Sequence, residues 1–166
     1  MKNTSINCGI VAEDVRKLSR TQWLELRRQS LGGSDISAAL GLNRWRSPME
    51  VWAEKVGLPL PRQETPEACR WGILLEEVVR AELAERTGWT IQKPVAMYRH
   101  RTIPFLSANV DALAQIPEKG LAVVEIKTAS SYKESEWSGG QVPPEYYLQG
   151  QHYMSVLDLR HCVFAC

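Results

Sequence analysis

Apolar residues in the first half of the chain recur at helical spacing between recognisable caps. Ser19, with Gln22 three residues on, forms a capping box that opens "RTQWLELRRQ" and offers Trp23, Leu24 and Leu26 to a core. "GGSDISAALGL" reads as a tight turn, a short helix capped by Ser34, and a stop at Gly41. In "SPMEVWAEKVGL", Ser47 caps, Pro48 takes the first helical position, Glu50 completes a second capping box and Gly57 terminates. "LPLPRQE" is a proline-broken loop. A long helix is then predicted from Thr65-Pro66 through "EACRWGILLEEVVRAELAERT" to Gly88. Trp23, Trp52 and Trp71 are assigned to the core.

From Trp89 the period shortens. "WTIQKPVAMYRH", "IPFLSANVDALAQI" and "LAVVEIKTAS" read as strands, with "PEKG" turning between the last two. "WSGGQVPP" is a loop, "EYYLQGQHYMSVLD" returns to helical spacing, and "RHCVFAC" reads as a last strand. The turn carries a consequence. A three-residue loop, Glu118-Lys119-Gly120 with Gly120 left-handed, sets Asp111 opposite Lys127 and Leu113 opposite Glu125. Asp111, Glu125 and Lys127 then share one face, whereas a two-residue loop turns Asp111 to the other side. The order of elements predicts one mixed-sheet α/β domain over residues 1–166.

Composition adds bounds rather than direction. A chain of 166 residues has room for one core, not two good ones. The 20 basic and 19 acidic side chains nearly cancel, which neither advertises nor excludes a nucleic-acid partner, so charge has to be read locally. Cys8, Cys69, Cys162 and Cys166 lack the spacing of a zinc site, an iron–sulfur cluster or a disulfide framework, and read as buried thiols of a reducing cytoplasm. With no long apolar run and no apolar signal core, neither a membrane span nor export is expected.

The chemistry lies in Asp111, thirteen intervening residues, then Glu125-Ile126-Lys127. Two carboxylates brought together repel and need a divalent cation or a shared proton. Hard oxygen ligands with an open coordination sphere suit Mg²⁺ or Mn²⁺, and a lysine beside them orients water or stabilises charge on a phosphate. A hairpin with surface charges would show the same three residues. Glu76 lies one turn after Gly72, a glycine that costs a helix about 1 kcal/mol relative to alanine and so marks a close approach of backbone or ligand. Gln149 and Tyr153 share a helix face.

"RWGILLEEVV", "LSANVDAL", "VVEIKTAS" and "YYLQGQHYM", in that order after "WLELRRQSLGGSDISAALGLNRW", resemble the YqaJ/lambda-exonuclease branch of the PD-(D/E)XK nucleases. The resemblance covers roughly residues 20–165, and five ordered motifs outweigh a lone Asp…Glu-x-Lys. It implies a restriction-endonuclease-like fold, a mixed central β-sheet flanked by helices. It implies Asp111 and Glu125 as metal ligands with the Ile126 carbonyl, Glu76 as the helix carboxylate near the metal, and Lys127 as the catalytic lysine. Gln149 and Tyr153 match the glutamine motif. For a 5′-phosphate pocket it implies Arg27 and Ser34, with Lys133 where an arginine is usual. Asn109 replaces a residue of the usual "SPD" element, and Ser107 is displaced by two.

The implied reaction is Mg²⁺-dependent hydrolysis of DNA, with Mn²⁺ an alternative. The implied role is a phage or prophage recombination exonuclease in the cytoplasm of a bacterial host. It resects double-stranded ends in the 5′ to 3′ direction and hands the single strand to an annealing protein, as a ring-shaped homotrimer. An endonuclease or RecB-like module of the same fold, and a DNA-binding remnant, are the rivals. Relatives run further past "VFAC", so the chain is expected to lack some C-terminal elements. Trp45, between Arg44 and Arg46, suits stacking on a base or closing over a helix end. "YRHR" reads as a basic patch or a solvated hairpin end, and none of the three histidines is assigned to metal.

Overall fold

A computed structural model describes residues 6–59 and 66–166. The first three helices form where the caps place them. α1 (Arg20–Arg28) begins at the Ser19/Gln22 capping box, and α3 (Pro48–Lys55) at the Ser47/Glu50 box with Pro48 in its first turn. α2 (Gly33–Ala39) starts two residues earlier than the sequence indicates. Gly32, not Ser34, is its cap residue, and Asp35 accepts the Gly32 N–H, leaving the Ser34 hydroxyl free for other work. α4 (Glu67–Thr87) ends at left-handed Gly88; its predicted Thr65 start lies outside the described residues. α5 (Glu134–Trp137) is a single turn and α6 (Pro144–Leu157) the last helix.

The strands are more broken than the sequence reading. β1 (Gly9–Ala12) has no counterpart in it. "WTIQKPVAMYRH" splits into β2 (Thr90–Gln92) and β3 (Met97–Arg99), and "IPFLSANVDALAQI" into β4 (Ser107–Ala108) and β5 (Ala112–Ile116). β6 (Gly120–Ile126) and β7 (Cys162–Ala165) complete the set. The pieces belong to two sheets, an antiparallel β1-β3-β4 and a mixed β2-β5-β6-β7 in which only β7 runs parallel to its neighbour. Pro94 suits one break, since it has no N–H for a ladder.

The larger sheet is covered on both faces, which is why β6 is buried along most of its length rather than alternating. Val123 packs with Tyr153, Val156 and Leu157 of α6. Ala112, Ala114, Ala122, Val124 and Ile126 pack on the other side with Val79 and Leu83 of α4. The all-alanine positions bring α4 close. α4 buries only this stripe, however: Trp71 is half exposed, as is Trp52 on α3, so neither is the core residue expected from its hydrophobicity. Cys69 and Cys166 are likewise exposed rather than buried thiols. No helix among the described residues is long and apolar enough to cross a membrane.

The β5–β6 hairpin has the odd loop the chemistry requires, but not the predicted one. Ile116 pairs with Gly120, so the loop is Pro117-Glu118-Lys119, with Glu118 and Gly120 both at positive φ. The register therefore moves by two residues. Continued one step past Ala112↔Val124, it sets Asp111 opposite Glu125 instead of Lys127, and because the shift is even the face is kept.

Candidate active site

Strand alternation turns Glu125 toward the α6 side, beyond Val123, where it is fully buried. Lys127 follows directly after β6, anchored by its N–H to the Ala165 carbonyl of β7. Its Nζ donates to Glu125 Oε1 at 2.5 Å and lies 4.9 Å from the Tyr146 ring centroid. Asp111, at the entry to β5, accepts the Ile126 N–H through Oδ2 at 2.9 Å. Glu125 and Lys127 are bonded, and Asp111 acts on both through charge from its seat beside Ile126.

Glu125 Oε2 is buried with no hydrogen-bond partner. Burial pushes the Glu125 carboxyl up to about 8, with Lys127 pulling it down and Asp111 adding to the rise. Burial also raises Asp111, against the Ile126 N–H and Lys127. On Lys127 burial works downward, but Glu125 and Asp111 outweigh it and the ammonium is held above its usual range. Two desolvated carboxylates thus lie in the field of one ammonium, which bonds only Glu125, and a buried acceptor lacks a partner. A divalent cation with oxygen ligands answers both deficits.

Glu76 stands apart. It faces the site electrostatically, raising both Asp111 and Glu125, but its carboxylate is tied to Lys93 at 2.5 Å. Among the described residues no three His, Cys, Asp or Glu side chains converge as a ready metal cage. The donors that fit are the Asp111–Glu125 pair with main-chain oxygen. Gly72 does mark a close approach: a Cβ there would come 3.3 Å from Thr128 Oγ1, directly after Lys127. Gln149 and Tyr153 are buried and joined, Gln149 Nε2 donating to the Tyr153 hydroxyl at 3.1 Å.

A second feature abuts this centre. Arg27, Gly32, Gly33, Ser34, Met97, Ser107, Asn109 and Tyr153 line one small cavity of about 40 Å³. Arg27 Nη2 donates to Ser34 Oγ at 2.9 Å and its guanidinium lies 4.6 Å from the Trp23 ring centroid. Arg27 is the one charged side chain in that lining. Tyr153, bonded to Gln149 on α6, is the wall this cavity shares with the candidate site. Asn109 is brought here to Arg27 and Ser34, seventy-five or more residues earlier in the chain.

A match to the YqaJ-like viral recombinase domain spans residues 22–160, enclosing every one of these side chains. The chain belongs to the YqaJ-like viral recombinase domain family. The uncharacterized protein YqaJ of Bacillus subtilis (strain 168) is 38% identical over 164 residues, 98% of this chain and 50% of that protein, so the chain spans half the length of this relative. Protein D345L of African swine fever virus (strain Badajoz 1971 Vero-adapted) is 41% identical over 56 residues, 34% of this chain and 16% of that protein. The alkaline exonuclease LHK-Exo of Laribacter hongkongensis superposes with TM-score 0.68 at 24% identity. Its complex with dAMP gives TM-score 0.69 at 23% identity, covering 87% of this chain and 72% of that one. The fold is the restriction-endonuclease-like α/β fold.

Other expected residues of the YqaJ-like domain fall outside the cavity. Lys133 does not line it; its Nζ lies 5.0 Å from the Trp45 ring centroid, with Arg44 equally close to that ring. Trp45 is half exposed between two cations. In "YRHR", Tyr98 points into the core, His100 Nδ1 accepts from the Thr102 and Ile103 N–H groups, and Arg99 and Arg101 are exposed. Two side chains, Tyr146 and Asp35, were given no role by the sequence reading, and Ser107 only a displaced place in its motif. Tyr146 lies three residues before Gln149 and seven before Tyr153, a helical spacing that put it on their face. Ser107 bonds Ser30 through its hydroxyl at 2.7 Å and accepts from His152 through its carbonyl at 2.8 Å. Asp35, inside the "GGSD" element, is fully buried.

Proposed function

We propose that this YqaJ-like domain is a Mg²⁺-dependent deoxyribonuclease that resects linear double-stranded DNA from 5′ ends, Mn²⁺ being an alternative cation. The carrying observation is buried Glu125, one oxygen lacking a partner and the other bonded to Lys127, with Asp111 held beside it by the Ile126 N–H. Asp111, Glu125 and the Ile126 carbonyl would hold the cation, and Glu76 would act from further out, once released from Lys93. When bound, the metal supplies a Lewis acid for a phosphoryl oxygen and a more acidic water.

The remaining work belongs to the chain. Lys127 keeps its proton and offers a fixed donor where charge develops on the phosphoryl group, and Tyr146 limits the directions its ammonium can take. Gln149 and Tyr153 wall the site on the α6 side and exclude water. The Arg27–Ser34–Asn109 cavity supports recognition of a terminal phosphate: an arginine without a carboxylate partner in the lining, two neutral donors and little volume. Lys133, Trp45 and Arg44 would meet the adjoining strand, by stacking and charge. The resemblance extends this reading to a ring-shaped homotrimer that passes single strands to an annealing protein.

The test is digestion of 5′-phosphorylated linear duplex beside closed circular DNA, with magnesium and with chelator. Loss of the linear form alone, and only with metal, is expected. Cleavage of the circle would replace the exonuclease with an endonuclease, and no metal-dependent loss at all would leave a DNA-binding remnant.

A further inference from the structure

Asp35 is fully buried, and its polar partners are Arg46, Lys55 and Gly32 rather than Asp111, Glu125 or Lys127. Its Oδ1 pairs with Arg46 Nη1 at 2.6 Å and its Oδ2 with Lys55 Nζ at 2.7 Å. The same Oδ2 accepts the Gly32 N–H at 3.0 Å. Lys55 Nζ donates in addition to the Arg27 carbonyl at 2.9 Å, and Arg46 is held on its far side by Glu54 at 2.6 Å. One carboxylate thereby ties together the end of α1, the start of α2, the end of α3 and the loop before α3.

Two of these ties end on the walls of the small cavity: Gly32 lines it, and the Arg27 carbonyl belongs to the residue that supplies its guanidinium. The opposite wall is fixed independently. A Cβ on Gly33 would come 2.4 Å from Tyr153 Cε1, so α2 already rests directly on α6. Charge is the second half of the argument. Asp35 and Glu54 are matched by Arg46 and Lys55, a closed neutral set. Among the described residues no carboxylate pairs with Arg27, whose guanidinium stays available to an anion. Burial alone raises the Asp35 carboxyl, but the Lys55, Gly32 and Arg46 contacts more than reverse it and keep it ionised.

We infer that Asp35 is a positioning residue for end recognition: through Lys55 and Gly32 it sets the Arg27–Ser34 spacing that a terminal phosphate monoester requires. This rests on the terminal-phosphate reading of the cavity given above. Asp35 neither touches the phosphate nor takes part in hydrolysis, so its loss should relax discrimination between ends rather than stop turnover.

The experiment compares steady-state cleavage of linear duplexes bearing a 5′-phosphate or a 5′-hydroxyl, with melting temperatures recorded in parallel. The folded Asp35→Asn variant is expected to lose about tenfold of the preference for the phosphorylated end, through KM. Its kcat on the hydroxyl end should stay within about twofold of wild type. Lys55→Met, which leaves the Asp35–Arg46 pair in place, covers the case in which Asp35→Asn fails to fold. It should show the same loss, and Lys55→Arg should restore the preference. Equal loss on both ends, or an unchanged preference in a folded variant, overturns the positioning role and leaves a structural ion pair. A wild-type protein indifferent to the 5′ group overturns the cavity reading itself, and the inference with it.

Discussion

The buried Glu125 carboxylate makes the stability of the metal-free protein depend on pH in a direction opposite to an ordinary surface acid. Desolvation pushes its pKa up to about 8, Lys127 offsetting and Asp111 reinforcing the shift. An unfolded glutamate titrates near about 4.3. Because the folded value is the higher one, the folded state holds the proton more tightly. That contribution is complete below the unfolded value and is lost as pH rises through the folded one. Linkage puts the loss between pH 7 and pH 8 at about 1 kcal/mol. Asp111, also raised by burial, acts in the same sense. Lys127 keeps its proton throughout, and His152, lowered chiefly by burial, is largely neutral in this window. The assay is urea unfolding in EDTA at fixed ionic strength, at both pH values, for wild type and Glu125→Gln. Wild type should lose about 1 kcal/mol across the window, the variant should show a flatter profile, and magnesium should flatten the wild type. A flat wild-type profile in chelator, or an undiminished slope in Glu125→Gln, refutes the reasoning.

Three further outcomes are expected. Lys127→Ala should cut cleavage in magnesium by about 10²- to 10⁴-fold, while duplex binding measured by anisotropy stays near wild type; normal turnover would remove Lys127 from the chemistry. Gly33→Ala would drive a methyl group against Tyr153 and should cost about 1 to 3 kcal/mol in urea unfolding, whereas Gly88→Ala meets no atom within 4 Å and carries only its backbone penalty. Trp45→Ala should weaken binding of a short single strand by about tenfold without moving the melting temperature, since the ring is half exposed; unchanged affinity would leave Trp45 as a partner of Arg44 and Lys133 only.

The helices were legible because their ends are local. Ser19 with Gln22 and Ser47 with Glu50 satisfy orphan N–H groups within four residues, so composition alone announces them. The exception is instructive: Ser34 had the chemistry of a cap, but the helix begins at Gly32, whose N–H Asp35 accepts, and the Ser34 hydroxyl went to Arg27 instead. Hydrophobicity misled at Trp52 and Trp71. A tryptophan has the same transfer preference on either face of a helix, and only the packing of the neighbouring elements decides which face is covered.

Within the candidate site, the sequence by itself determined parity. Side chains alternate along a strand, so Glu125 and Lys127 had to share a face, and any odd loop had to bring Asp111 onto it. It did not determine the register, because Pro117-Glu118-Lys119 and Glu118-Lys119-Gly120 satisfy the same alternation; the positive φ taken up by Glu118 as well as Gly120 selected the former. Tertiary structure alone decided which charges are desolvated. The isolation of Glu125 Oε2, the tie between Glu76 and Lys93, and the convergence of Arg27, Ser34 and Asn109 on one cavity depend on contacts between elements distant in the chain. Solvent exclusion is a property of how those elements pack, and no local pattern encodes it.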